Sequence, residues 1–74
     1  MREQATDIVA EMVANVMSVT VEIGDKVAVG DQVILLESMK MEIPVLAEVG
    51  GTVRQIRVTA GDVVQEGDVL VTVA

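Results

Sequence analysis

The side chain best placed to do chemistry here is a lysine set between two methionines, Met39-Lys40-Met41. The usual catalytic repertoire is missing around it. The chain has no His, no Cys and no Tyr. No nucleophile, base and orienting group can be assembled from the rest, and no two carboxylates stand out as an acid and base pair. The same absences exclude disulfides and the common zinc sites. A lysine amine in water has a pKa of about 10.4 and is protonated at neutral pH. It becomes a nucleophile only when another group takes its proton. No obvious base lies beside Lys40, so activation has to come from a separate protein. The chain is expected to accept a group and not to be an enzyme.

Lys40 lies near the start of segment 38–46, directly after an apolar strand, Val33-Ile34-Leu35-Leu36-Glu37. Glu42-Ile43-Pro44-Val45 reads as the return strand, with Pro44 suited to an edge or a strand end. Lys40 is thus expected at a hairpin tip. Tight hairpins favour Asn-Gly or Asp-Gly, because the backbone needs positive φ. A tip built from Ser, Met, Lys and Met has another purpose. Methionine is flexible and adapts to partner surfaces, and a solvated tip has no packing use for it. The competing reading folds Met39 and Met41 onto the core and leaves Lys40 an ordinary surface lysine.

The elements that hold the tip come from an internal duplication. Residues 10–37 overlay residues 47–74 without a gap, at an offset of 37, with nine identical positions. Gly24-Asp25-x-Val27 matches Gly61-Asp62-x-Val64, and Gly30-Asp31 matches Gly67-Asp68. Gly tolerates positive φ and Asp bonds local backbone, so each pair marks a turn. Val19, Val21 and Ile23 alternate with polar residues as a half-buried strand does, and Ile56, Val58 and Ala60 repeat that face. The spacing from Val16 to Val19, and from Val53 to Ile56, predicts a bulge in each half. Val33–Leu36 and Val69–Val73 are continuously apolar, as interior strands are. Ala5, Ile8, Val9, Met12, Val13 and Val16 also fit a helical stripe. The matching stretch Ala47–Val53 contains Gly50-Gly51, which disfavours helix by roughly 2 kcal/mol. Ile8–Met12 is therefore read as a strand.

Seventeen of the 74 residues are Val and none is aromatic. β-branched side chains fit a pleated sheet, and small ones suit two closely spaced layers. The expected fold is all-β: a flattened, pseudo-two-fold barrel or sandwich of about eight short strands. Residues 1–74 form one domain, with repeats 10–37 and 47–74 and tip segment 38–46. The net charge of −7 argues against nucleic acid and anionic membranes as partners. No apolar run reaches the roughly 18 residues of a membrane span. Met1-Arg2-Glu3-Gln4 lacks a signal-peptide layout. A cytoplasmic monomer is expected.

Glu37-Ser38-Met39-Lys40-Met41 resembles the attachment motif of biotinyl domains, usually Glu-Ala-Met-Lys-Met. Gly24-Asp25-x-Val27-x-x-Gly30-Asp31, Gly50-Gly51-Thr52-Val53, Gly61-Asp62 and Gly67-Asp68 extend the likeness over nearly the whole chain. It is closest to small free-standing bacterial biotin/lipoyl attachment proteins of the biotin carboxyl carrier type. The resemblance implies Lys40 at an exposed β-turn of a flattened eight-stranded barrel, with both chain ends at the opposite edge. It implies covalent biotin on Lys40, attached by biotin protein ligase. The biotin ring would then move a carboxyl group between biotin carboxylase and carboxyltransferase subunits. Met39 and Met41 would serve ligase recognition, with Ser38 and Glu37 flanking the motif. Glu37 would add a polar contact or be a solvated strand-end charge.

Ser38 replaces the family's Ala, and Glu11 and Ala14 replace its Pro and Gly. No insertion precedes Gly24, where some acetyl-CoA carboxylase carriers have a thumb, so a thumbless domain is expected. A lipoyl carrier is the first alternative, with lipoate alone or beside biotin. Lipoyl domains usually show Asp-Lys-Ala at the turn, and Met39-Lys40-Met41 favours biotin over lipoate. An unmodified binding module is the second alternative.

Overall fold

The structure, a computed structural model, describes residues 5–74. The reading of Met1-Arg2-Glu3-Gln4 lies outside the described residues. Eight strands follow one another: β1 (Thr6–Val9), β2 (Ala14–Val19), β3 (Lys26–Val27), β4 (Gln32–Ser38), β5 (Met41–Leu46), β6 (Gly51–Ile56), β7 (Val63–Val64) and β8 (Val69–Val73). There is no helix among the described residues. Two four-stranded antiparallel sheets form, in the orders β1-β8-β6-β3 and β5-β4-β2-β7. They make a sandwich and do not close into a barrel. The path from Val19 to Lys26 is short and carries no thumb.

The offset of 37 relates the two sheets strand by strand. It carries β2 onto β6 and β3 onto β7, residue for residue, and β4 onto β8. It also carries β1, residues 6–9, onto residues 43–46 of β5. The return strand after the tip is therefore the counterpart of the first strand, a relation the side chains alone conceal.

Each sheet turns its Val-rich face inward. Val33, Ile34, Val53, Leu70 and Val71 are wholly buried. They join residues of both sheets in one apolar cluster. Each such side chain contributes roughly 1.5–3 kcal/mol, against the entropy of ordering the chain. β4 and β8 lie inside their sheets, in keeping with their largely apolar runs.

The expected bulges are present. The β2–β4 register shifts between Val16 and Ser18, and the β6–β8 register between Val53 and Gln55. Met17 and Arg54, at equivalent positions, are the extra residues. Val16 and Val19 thereby both face the core, which a regular pleat forbids at that spacing.

Four Gly-Asp turns tie the halves together. At each, the glycine has a φ between 90° and 97°. The aspartate Oδ2 accepts the backbone N–H three residues earlier, at 2.9 Å in all four (Glu22, Ala28, Thr59 and Gln65). Each turn also exchanges two backbone hydrogen bonds with a buried residue of the opposite repeat. Gly24 and Asp25 clasp Val53, and Gly61 and Asp62 clasp Val16. Gly30 and Asp31 clasp Ala47, and Gly67 and Asp68 clasp Ala10. Buried backbone groups beyond the ladders are thus satisfied, as burial demands.

Three expected strands end early. β1 stops at Val9 and not at Met12, because Ala10 leaves the ladder to pair with the Gly67-Asp68 turn. β2 stops at Val19, so Val21 packs on the core from a loop and Ile23 stands exposed in the turn before Asp25. β6 stops at Ile56 and leaves Val58 and Ala60 outside it.

Candidate functional site

β4 and β5 form a two-residue hairpin. Ser38 pairs with Met41, and Met39 and Lys40 are the two residues of the turn. Their φ values are 53° and 64°. They are the only positive-φ residues other than glycine among the described residues. Positive φ at both positions is the type I′ turn, whose twist matches that of the strands. For an L-residue this conformation costs about 1–2 kcal/mol. The strain sits at the one point where the expected chemistry lies, a common sign of function.

Lys40 is exposed, and no described residue forms a hydrogen bond or ion pair with it. Met39 is 91% exposed and Met41 62%. The methionines do not fold back, so the reading that buries them is overturned. Ser38 and Glu37 are half-buried at the end of β4. The five motif residues are thus brought together at one apex. No three carboxylates among the described residues come together as a metal site.

Two features lie outside the motif. Glu42 stands directly opposite Glu37 across the strand pair. Counting back from a two-residue turn would have found it. Pro44 lies opposite Leu35. Hydrogen-bonded and non-bonded pairs alternate away from the Ser38–Met41 pair, so the backbone nitrogen at position 44 points outward. Proline removes that outward donor at no cost to the ladder and blunts the edge. Its counterpart on β1 is Asp7, whose Oδ1 accepts a hydrogen bond from Thr72 Oγ1 at 2.9 Å.

The start of β1 and the end of β8 lie away from the tip. Thr6 pairs with Val73, and Ala74 exchanges two hydrogen bonds with Thr52. By the pseudo-two-fold relation, the β8 end and β1 start occupy in one sheet the place the β4–β5 turn holds in the other. Thr6 and Ala74 therefore sit at the pole opposite Lys40. Gly51 makes the terminal pole possible, since a Cβ there would lie 2.6 Å from the Ala74 carbonyl oxygen.

Met39→Asn is expected to raise stability by about 1 kcal/mol, because Asn tolerates this conformation. Urea denaturation would measure it. A loss of stability would show that Met39 has a packing role the exposed geometry denies.

Comparison with known proteins gives one consistent result. The biotin/lipoyl family model, described as biotin-requiring enzyme, matches residues 4–73. The chain is 51% identical over 70 residues to the biotinylated protein TB7.3 homolog of Mycobacterium leprae, covering 95% of this chain and 99% of that one. It is 47% identical over 60 residues to the biotin/lipoyl attachment protein of Bacillus subtilis, covering 81% and 82%. Among solved structures, Kluyveromyces lactis urea carboxylase superposes with a TM-score of 0.91 at 31% identity. That match covers 100% of this chain and 6% of the carboxylase chain.

Proposed function

Since the chain belongs to the biotin/lipoyl attachment family, a family of non-catalytic carriers, we propose that residues 1–74 act as one biotin carboxyl carrier domain, loaded on Lys40. The observation that carries this reading is the strained two-residue turn, which spends conformational energy to hold an unpaired amine at the apex.

Biotin protein ligase would supply both the base and the activated biotin. The base takes a proton from the Lys40 ammonium. The free amine attacks the carbonyl of a biotinyl-adenylate. A C–N bond forms, the carbonyl C–O bond to the adenylate phosphate breaks, AMP leaves with that electron pair, and the new amide nitrogen releases its second proton to solvent. One positive charge is lost, so the net charge goes from −7 to −8. Met39 and Met41 offer the ligase mobile apolar contacts, while Ser38 and Glu37 fix the strand end beneath them.

The tethered ring would then visit a biotin carboxylase site and a carboxyltransferase site at high effective concentration. The chemistry belongs to the cofactor and those enzymes. The fit to a domain of a urea carboxylase supports carboxylase partners. A cytoplasmic monomer suits this role, and the guarded outer edges at Asp7 and Pro44 support a single copy. The likeness to the Bacillus subtilis biotin/lipoyl attachment protein supports a second reading, in which lipoate also loads on Lys40.

Incubation with biotin, ATP and biotin protein ligase tests the proposal by intact mass. One biotinyl adduct is expected, and a parallel reaction with lipoate and a lipoate ligase should load more slowly. A mass unchanged by biotin and ligase would end the carrier reading.

A further inference from the structure

The duplication supplies an internal reference for surface composition. The two sheets have equivalent outer faces, so a position on one can be read against its counterpart 37 residues away. The outer face of β1-β8-β6-β3 carries Asp7, Thr72, Arg54 and Lys26. The matching positions on β5-β4-β2-β7 are Pro44, Leu35, Met17 and Val63. Met17 is 40% exposed and Val63 66%. Folding does not require these apolar groups, since the sister face keeps the same backbone with polar ones.

The acidic residues differ in the same way. Glu37 and Glu42 face each other across the strand pair on this outer face. Like charges placed so oppose pairing. Their counterparts are Ala74 and Ala5. At these positions the tip-bearing sheet is apolar, with an acidic end beside Lys40, where the other sheet is polar or small.

We propose that the outer face of β5-β4-β2-β7 is the docking surface for the biotin-attaching ligase, whose complementary surface is apolar and rimmed with Arg or Lys. The inference rests on the carrier reading. The occupant follows from continuity and charge. A ligase that acts on Lys40 must enclose the turn, so its adjoining surface covers a flank of the hairpin. This flank is the one with apolar anchors, and Glu37 and Glu42 match a basic rim.

The test grafts the sister face's own residues: Met17→Arg, Leu35→Thr and Val63→Lys together. In steady-state biotinylation the KM for the carrier should rise about tenfold or more, with maximal rate retained. The reverse exchange on the far face, Lys26→Val with Arg54→Met, should leave KM at the parent value. Thermal melting checks the fold, and Met17→Arg alone serves if the triple variant does not fold. An unchanged KM in the grafted protein overturns the proposal, as does an equal rise from the far-face exchange. A concentration-dependent dimer abolished by the graft would assign the face to a second copy instead. A parent protein that takes up no biotin would sink the carrier reading itself, a different result from a parent that loads and a graft that loads equally well.

Discussion

Lys40→Arg is expected to take up no biotin under conditions that load the parent fully, and to melt with the parent. Arginine keeps the charge and length of the side chain but cannot give up its proton in a protein, so the nucleophile alone is lost. The turn asks the same φ of either residue, so fold and stability should hold. The control lies within the chain. Its second lysine, Lys26, pairs with Thr52 in the other sheet. Lys26→Arg should load like the parent. Intact mass after ligase treatment reads both variants. Biotin on Lys40→Arg, mapped by peptide sequencing to Lys26, would show that exposure and not the turn selects the amine.

Ile34→Ala is expected to cost about 2–5 kcal/mol, the usual range for removing a buried isoleucine side chain. Ile34 has no exposed surface and lies on β4, the strand that leads into the tip. A domain of this size buries only about 60% of its unfolded surface and holds little stability in reserve. The variant should therefore be largely unfolded at growth temperature. Biotin loading should fall with the folded fraction, because an unfolded chain does not present the turn. Met39→Ala, at the 91% exposed apex, should by contrast shift stability by no more than about 0.5 kcal/mol. Urea midpoints compare the two. A cost below about 1 kcal/mol for Ile34→Ala would mean that the two sheets are not packed as described.

The site was legible at the level of the motif. Met39-Lys40-Met41 sits between two strand patterns, and a turn without Asn or Gly is visible as an anomaly before any coordinates. The surface around it was not legible. That Glu42 faces Glu37, and that Met17, Leu35 and Val63 share a face, depends on three strand pairings and a bulge.

The sequence by itself determined what is local or repeated. The Gly-Asp turns follow from positive φ and from a side chain that reaches back three residues. The bulges follow from a spacing of three between inward-facing valines. The longer strands follow from a Val-rich chain cut by those turns, while the two-residue strands β3 and β7 emerge only with their partners. Only the tertiary structure decided which residue each turn clasps, why β1 ends at Val9, and that β1 and β5 are counterparts. Turn chemistry acts within a few residues and leaves its mark on the composition there. Partners such as Gly24 with Val53, or Ala10 with Asp68, are chosen by backbone groups that every residue carries. Side-chain identity does not encode them, and they form only when both halves bury their apolar faces together.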